Sequence, residues 1–88
     1  MISATVEITN RLGLHARPAV LLVKTTALFD SEIKLIKEDI EVDGKSIMGI
    51  LMLAAGQGTQ LEVVCNGKDE SDAINAIKKL FEDGFGEN

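Results

Sequence analysis

The sequence predicts an α+β fold in which a mainly antiparallel, four-stranded sheet is covered on one face by helices. Segments that alternate apolar and polar residues predict strands with one buried face, and apolar residues at three- and four-residue steps predict amphipathic helices. The predicted order is β-α-β-β-α-β-α. Because the other face of each strand is polar, helices on a single side give the most economical packing. The 88 residues suffice for one domain, which we assign to 1–88.

The first half of the chain is predicted to hold three strands and one helix. Apolar and polar residues alternate over 2–9, and 10–13 is a predicted loop. Helical spacing begins at Ala16 and is expected to end near Asp30. Two further strands, around Leu35 and Val42, are joined by a tight turn.

The second half is predicted to contain a short helix, a strand and a longer helix. Residues 47–53 are apolar without strand alternation, which favours a short helix. The strand 60–66 alternates and turns Cys65 inward. Asp69 is a suitable N-cap for the last helix, and Gly84 a suitable stop.

Composition and charge exclude several classes of function. A net charge of −5 argues against nucleic-acid binding, and the lack of Trp and Tyr removes platforms for stacking bases. The single Cys65 leaves no internal disulfide. The N-terminus does not resemble a signal peptide, and the longest apolar stretch, 47–55, is too short to span a bilayer. We therefore expect a cytoplasmic protein with no membrane partner.

Positive charge is concentrated near the single histidine. Residues 1–24 contain three basic side chains against one acidic, whereas 25–88 contain six against thirteen. The electropositive segment surrounds His15, and its field suits an anionic ligand or an acidic partner.

His15 is the strongest candidate for a functional residue. It lies where a helix begins, a position at which Asn, Asp, Ser or Thr is the ordinary N-cap. The free N–H groups there stabilise an anion, and the Arg17 guanidinium can bond phosphate oxygens. Pro18 loses only an N–H that has no helical partner. The pattern favours phosphoryl transfer onto the imidazole.

Three other roles compete for His15: a structural residue, a metal ligand and one half of a Cys–His pair. The features around His15 do not by themselves distinguish a functional histidine from a purely structural one. A metal site lacks further ligands, since the chain has no second His and one distant Cys. A Cys–His nucleophilic pair is excluded by the inward orientation predicted for Cys65.

Ser46 precedes the short apolar helix and is predicted to be its N-cap. A phosphate on Ser46 would meet free helix N–H groups and add about two negative charges. Core packing is the default for the apolar residues on one side of this helix, and a partner-binding surface, which methionines suit, is the alternative. These residues are Ile47, Met48, Leu51 and Met52.

Two runs of residues resemble the HPr family, the histidine-containing phosphocarriers of the bacterial sugar phosphotransferase system. Residues 13–19 (Gly-Leu-His-Ala-Arg-Pro-Ala) resemble its active-site signature, and 44–49 (Gly-Lys-Ser-Ile-Met-Gly) its regulatory serine segment. Spacing, length and element order agree over essentially the whole chain. Residues 6–13 and 81–87 also resemble the nitrogen-related carrier of proteobacteria. The run 44–49 instead favours an HPr that is a substrate of an HPr kinase.

The resemblance implies a fold, a function and partners. The fold would be an open-faced β-sandwich, with three helices on one face of the sheet. His15 would accept a phosphoryl group on its pros nitrogen from enzyme I, which takes it from phosphoenolpyruvate, and pass it to a IIA domain, while Arg17 stabilises the phosphate. An HPr kinase/phosphorylase would phosphorylate Ser46 and slow this transfer. The docking face would include Ile47, Met48, Leu51 and Met52.

Three hypotheses about function follow from these observations. The first is a phosphocarrier, a stoichiometric acceptor and donor rather than an enzyme, with no cofactor or metal and a monomeric state. The second is a mainly regulatory member of a nitrogen-related or incomplete phosphotransferase system, acting through Ser46 and partner docking, with a transcription factor as a further partner. The third is an anion-binding domain in which His15 binds phosphate without covalent transfer.

Overall fold

The computed structural model describes residues 1–87 and contains four strands, three α-helices and a terminal 3₁₀ turn. Their order matches the predicted β-α-β-β-α-β-α, with the 3₁₀ turn added after it. The elements are β1 (Ile2–Glu7), α1 (Ala16–Thr26), β2 (Glu32–Lys37), β3 (Ile40–Asp43), α2 (Ile47–Met52), β4 (Gln60–Asn66), α3 (Glu70–Glu82) and the turn Gly84–Gly86.

The sheet has the strand order β1-β4-β2-β3, and every pairing is antiparallel. Its helix-covered face supplies the core, with Leu35, Val63 and Cys65 completely buried. On the opposite face Thr5, Glu62 and others are exposed, so the sheet is open on that side. The predicted α+β, open-faced sandwich is confirmed.

The three helices bury one stripe each against the sheet. Leu22 of α1, Ile50 of α2 and Ile77 of α3 have no exposed surface. Helix α1 packs against both α2 and α3, so the three helices form one connected layer.

The first helix ends at Thr26 rather than near Asp30. Ala27 is its C-cap, and the amides of the next two residues bond only three residues back, which tightens the chain out of the helix. The backbone amides of Asp30 and Ser31 then donate to the carboxylate of Asp69, at 2.8 and 3.0 Å. The apolar spacing continues past Thr26, but these bonds to a distant residue end the helix.

Asp69 occupies the predicted N-cap position of α3, but its side chain makes no capping bond there. It is used instead by the loop before β2, as described above. The neighbouring Glu70 accepts a hydrogen bond from the Gly67 amide at 3.0 Å, so the turn before α3 is held by a different carboxylate. At the other end, the stop predicted at Gly84 is confirmed by its φ of +60° directly after the C-cap.

Among the described residues 1–87, no helix has the length and apolar character needed to cross a membrane.

Candidate functional site

His15 is the N-cap of α1, with an extended backbone (φ −83°, ψ −168°) and a side chain that makes no capping bond. The first hydrogen bond of the helix runs from the Ala19 amide to the His15 carbonyl at 3.1 Å. The amides of Ala16 and Arg17 therefore have no acceptor within the helix, and Pro18 has no amide hydrogen. With its side chain 36% exposed, the imidazole is open to another molecule.

The loop before His15 is held by a close approach of two backbone segments. Gly13 adopts a φ of +72°, and a Cβ at this position would lie 2.5 Å from the Ala55 carbonyl oxygen. The Leu14 amide donates to the same oxygen at 2.9 Å. Only glycine combines this left-handed conformation with this approach, so Gly13 fixes the position of His15 relative to the segment after α2.

The far end of the chain supplies a carboxylate to the imidazole. His15 Nε2 lies 2.9 Å from both Oε1 and Oε2 of Glu87. Asn10 Nδ2 donates to Glu87 Oε1 at 2.9 Å and to the Gly13 carbonyl at 2.8 Å. The hydrogen bond from His15 holds the pKa of Glu87 below its ordinary value, and the Asn10 amide and the Arg17 charge act in the same direction.

The terminal turn carries Glu87 to this position. Gly84, Phe85 and Gly86 all have positive φ, and Phe85 at +55° is a conformation that a bulky residue adopts only under constraint. Its ring is buried and packs edge-on against Phe81 with centroids 4.9 Å apart. Phe85 therefore anchors the terminal turn in the core, two residues before Glu87.

Positive charge and open space lie beside Glu87, the hydrogen-bond partner of the imidazole. An open depression of about 470 Å³ lies beside the site, lined by Arg11, Leu12, Arg17, Gly86 and Glu87. Both arginines are exposed. The depression is wide enough for a tetrahedral anion, and the guanidinium of Arg17 suits phosphate oxygens.

Sequence reasoning missed Glu87 and Asn10. The His15–Glu87 contact joins residues 72 positions apart, which no local spacing reveals. Asn10 lies in the predicted loop, and its complete burial is a property of the folded structure. The sequence predicts only a loop at 10–13, and nothing in that pattern indicates that Asn10 bonds both the Gly13 carbonyl and Glu87.

Ser46 is the N-cap of α2, as predicted, and its Oγ accepts a hydrogen bond from the Gly49 amide at 3.0 Å. The preceding turn is also tied down, because Thr26 Oγ1 donates to the Gly44 carbonyl at 2.9 Å. This bond connects the end of α1 to the segment that contains Ser46.

The apolar side of α2 divides between core and surface. Ile50 is completely buried, so the helix is anchored by this residue. The predicted docking residues are exposed to solvent, and core packing, the default expectation for them, is wrong. Their exposed fractions are 38% for Ile47, 70% for Met48, 36% for Leu51 and 72% for Met52.

One other prediction concerns chemistry away from His15. Cys65 is buried on the inward face of β4, as predicted, and burial raises the pKa of its thiol, with smaller contributions from Glu70 and Asp69. Within the part of the chain that the structure describes, no three His, Cys, Asp or Glu residues cluster as metal ligands.

These features define a class: a small α+β protein that presents a histidine at a helix N-terminus, beside an arginine and an open depression. The family model described as "PTS HPr component phosphorylation site" matches residues 2–83. The chain belongs to the HPr family, the phosphocarriers of the phosphotransferase system.

Two relatives from the same family align with this chain over nearly its full length. The chain is 48% identical over 87 residues to the phosphocarrier protein HPr of Treponema pallidum, covering 99% of each chain. It is 41% identical over 88 residues to the phosphocarrier protein NPr of Escherichia coli K12, covering 99% of this chain and 98% of the relative.

Solved structures agree as well. An HPr from Thermoanaerobacter tengcongensis superposes with a TM-score of 0.96 at 45% identity, covering 100% of this chain and 99% of the other. A structure described as an HPr dimer from the same organism superposes with a TM-score of 0.80 at 46% identity, covering 99% of this chain and 100% of the other.

Proposed function

We propose that His15 accepts a phosphoryl group on Nδ1 from enzyme I, which is charged by phosphoenolpyruvate, and passes it to a IIA domain. The observation that carries this proposal is the placement of a partly exposed imidazole at the start of α1, where two backbone amides lack helical acceptors. The phosphoryl oxygens would receive hydrogen bonds from these amides and from Arg17.

The transfer needs little from the protein beyond position and charge. The Nδ1 lone pair would attack phosphorus, forming an N–P bond as the bond to the donor breaks, and that electron pair would stay on the donor. The second step repeats this exchange toward the IIA acceptor. Because the group is received and given away once per cycle, the protein acts as a carrier rather than a turnover enzyme.

The first experiment is intact-mass analysis after incubation with phosphoenolpyruvate and enzyme I, beside a His15→Ala variant. We expect a gain of one phosphoryl group that is lost in acid and is absent from the variant. Because the His15 side chain makes no capping bond, the variant should stay folded. A wild-type protein that gains no mass with enzyme I from the same organism would contradict the carrier role of His15.

Regulation would act through Ser46. We propose that an HPr kinase/phosphorylase modifies its hydroxyl, placing about two negative charges beside the docking surface formed by Ile47, Met48, Leu51 and Met52. Exposure of all four side chains next to α1 supports this role, since α1 carries His15 and packs against α2. Enzyme I and IIA would meet the same surface, so the added charge would slow transfer.

We expect the carrier to act as a monomer of one domain, residues 1–88.

A second candidate is a mainly regulatory member of a nitrogen-related or incomplete phosphotransferase system. It is favoured by the 41% identity to NPr, and it would act through Ser46 and through docking, with a transcription factor among its partners. Comparing transfer from sugar-branch and nitrogen-branch enzyme I separates the two. Faster charging by the nitrogen-branch enzyme supports the second candidate, and faster charging by the sugar-branch enzyme supports the first.

A further inference from the structure

Deepening the proposed role of His15, we propose that Glu87 is a positioning residue: it holds the hydrogen of the imidazole on Nε2, so that Nδ1 presents its lone pair to the phosphoryl group. Asn10 holds Glu87 in this position. The device therefore selects which of the two ring nitrogens carries the phosphoryl group.

The geometry determines the direction of the hydrogen bond. An ionised carboxylate only accepts, and the hydrogen bonds of Glu87 keep it ionised at neutral pH. Nε2 must therefore donate, and its equal 2.9 Å distances to Oε1 and Oε2 describe one N–H shared between two oxygens. In a neutral imidazole with hydrogen on Nε2, the lone pair is on Nδ1.

The carboxylate also matches the charge change of the reaction. When Nδ1 forms its bond to the phosphorus of a phosphorylated donor protein, the donor keeps the electron pair of the broken bond, and the ring of His15 becomes positively charged. The hydrogen on Nε2 stays in place, so no proton has to move. A carboxylate bonded to that hydrogen stabilises the positive ring more than the neutral one, and so favours the transfer.

The position of Glu87 is secured from two sides. Asn10 is completely buried, and its Nδ2 contacts two acceptors, Glu87 Oε1 and the Gly13 carbonyl. Within residues 1–87 the buried Asn10 Oδ1 has no hydrogen-bond partner, which is a cost the fold tolerates while the amide serves these two oxygens. On the other side, the buried Phe85 fixes the terminal turn.

The first test is ¹⁵N NMR of the unphosphorylated protein at about pH 8.5, above the ordinary titration range of imidazole. The chemical shifts of the two ring nitrogens report which one bears hydrogen. We expect hydrogen on Nε2 in the wild type. In Glu87→Ala the fraction with hydrogen on Nδ1 should rise about tenfold, the change expected for the loss of one charge-assisted bond.

Two further variants complete this test. Glu87→Gln keeps a carbonyl acceptor of the same size, and we expect a smaller shift toward Nδ1–H than in the alanine variant. Glu82→Gln removes an exposed carboxylate at the end of α3 and should leave the ratio unchanged. An unchanged ratio in Glu87→Ala, with the amide spectrum showing a folded protein, would overturn the proposal.

The second test is the rate of phosphoryl transfer from enzyme I. Glu87→Ala should lower the maximal rate about tenfold, equivalent to about 1.4 kcal/mol in the barrier, with little change in the concentration that half-saturates the donor. An equal rate would overturn the electrostatic part of the proposal. If enzyme I charges no variant, wild type included, while the tautomer ratio still depends on Glu87, the proposed carrier function fails and the positioning role stands.

Discussion

At the scale of single residues, Glu87 and Arg17 have different proposed roles around the imidazole. Glu87 contacts Nε2, so a phosphoryl group on Nδ1 would not compete with it for the same atom. Arg17 is exposed beside the depression and is free to turn toward such a group. Glu87 would therefore stabilise the ring and Arg17 the phosphate, without the two side chains competing for the same atoms.

Arg17→Ala should slow phosphoryl transfer through His15 by about tenfold, because a charge-assisted bond to the phosphate would be lost. The measurement is the initial rate of charging by enzyme I. Lys24→Ala is the matched control, since it removes the same charge from the last turn of α1. A rate for Arg17→Ala that equals the control's would contradict a role of this guanidinium in transfer.

Glycines near the site allow conformation and contact to be separated. Gly13→Ala meets both a positive φ and a Cβ contact at 2.5 Å, and should destabilise the fold by about 2 kcal/mol or more. Gly58→Ala has a positive φ but open space around its Cβ, so about 1 kcal/mol is expected. Gly56→Ala has open space and should be close to neutral. Urea unfolding measures all three, and equal costs at positions 13 and 58, which share a positive φ, would contradict the close approach.

At the scale of secondary-structure elements, the six-residue α2 depends on its ends. Too short to be stable alone, it is held by Ile50 in the core and by the Ser46 cap. The same serine is the proposed regulatory position, so its structural and regulatory roles have to be separated by choice of substitution.

Ser46→Ala and Ser46→Asp should separate capping from charge. The alanine variant loses the bond to the Gly49 amide, and should lose about 1 kcal/mol of stability while keeping its transfer rate. Aspartate is also a good N-cap, so Ser46→Asp should keep most of the stability but weaken binding to enzyme I. Thermal unfolding and the transfer rate are the two measurements. An unchanged rate in Ser46→Asp would count against inhibition by charge at this position.

Element types were predictable because periodicity is local, whereas several boundaries depend on distant partners. The alternation over 60–66 gives β4 with its inward Cys65, and the structure agrees. The end of α1 depends instead on amides that bond to Asp69, far along the chain. No pattern within 16–30 encodes that contact.

At the scale of the whole molecule, the candidate site joins the two ends of the chain. His15 and Arg17 were predictable, since they belong to one short run at a helix start. Glu87 reaches them only because β1 and β4 pair, α3 packs over these strands, and Phe85 anchors the last turn. That part of the site is a product of tertiary structure, and only a three-dimensional arrangement reveals it.

A second long-range contact should set the acid stability of the molecule. Asp69 accepts hydrogen bonds from the Ser31 hydroxyl and from the amides of Asp30 and Ser31, tying the start of α3 to the segment before β2. These bonds, the Ser31 hydroxyl foremost, lower the pKa of Asp69 below its ordinary 3.8. A carboxyl group with a lowered pKa binds protons more readily when unfolded, so its contribution is present above the unfolded value and is lost as the pH falls below it.

Asp69→Asn should therefore reduce stability at neutral pH and flatten its fall in acid, because an amide cannot ionise. Urea unfolding at a series of pH values from neutral to about 3 measures both effects, with the slope between adjacent values reporting the protons exchanged. Asp39→Asn, in the exposed turn between β2 and β3, is the matched control and should leave the slope as in the wild type. Parallel curves for Asp69→Asn and the wild type would show that Asp69 does not contribute to the acid limb. The stability lost in acid would then arise elsewhere, with Glu70 and Glu87 next in line, since their pKa values are also lowered by hydrogen bonds in the fold.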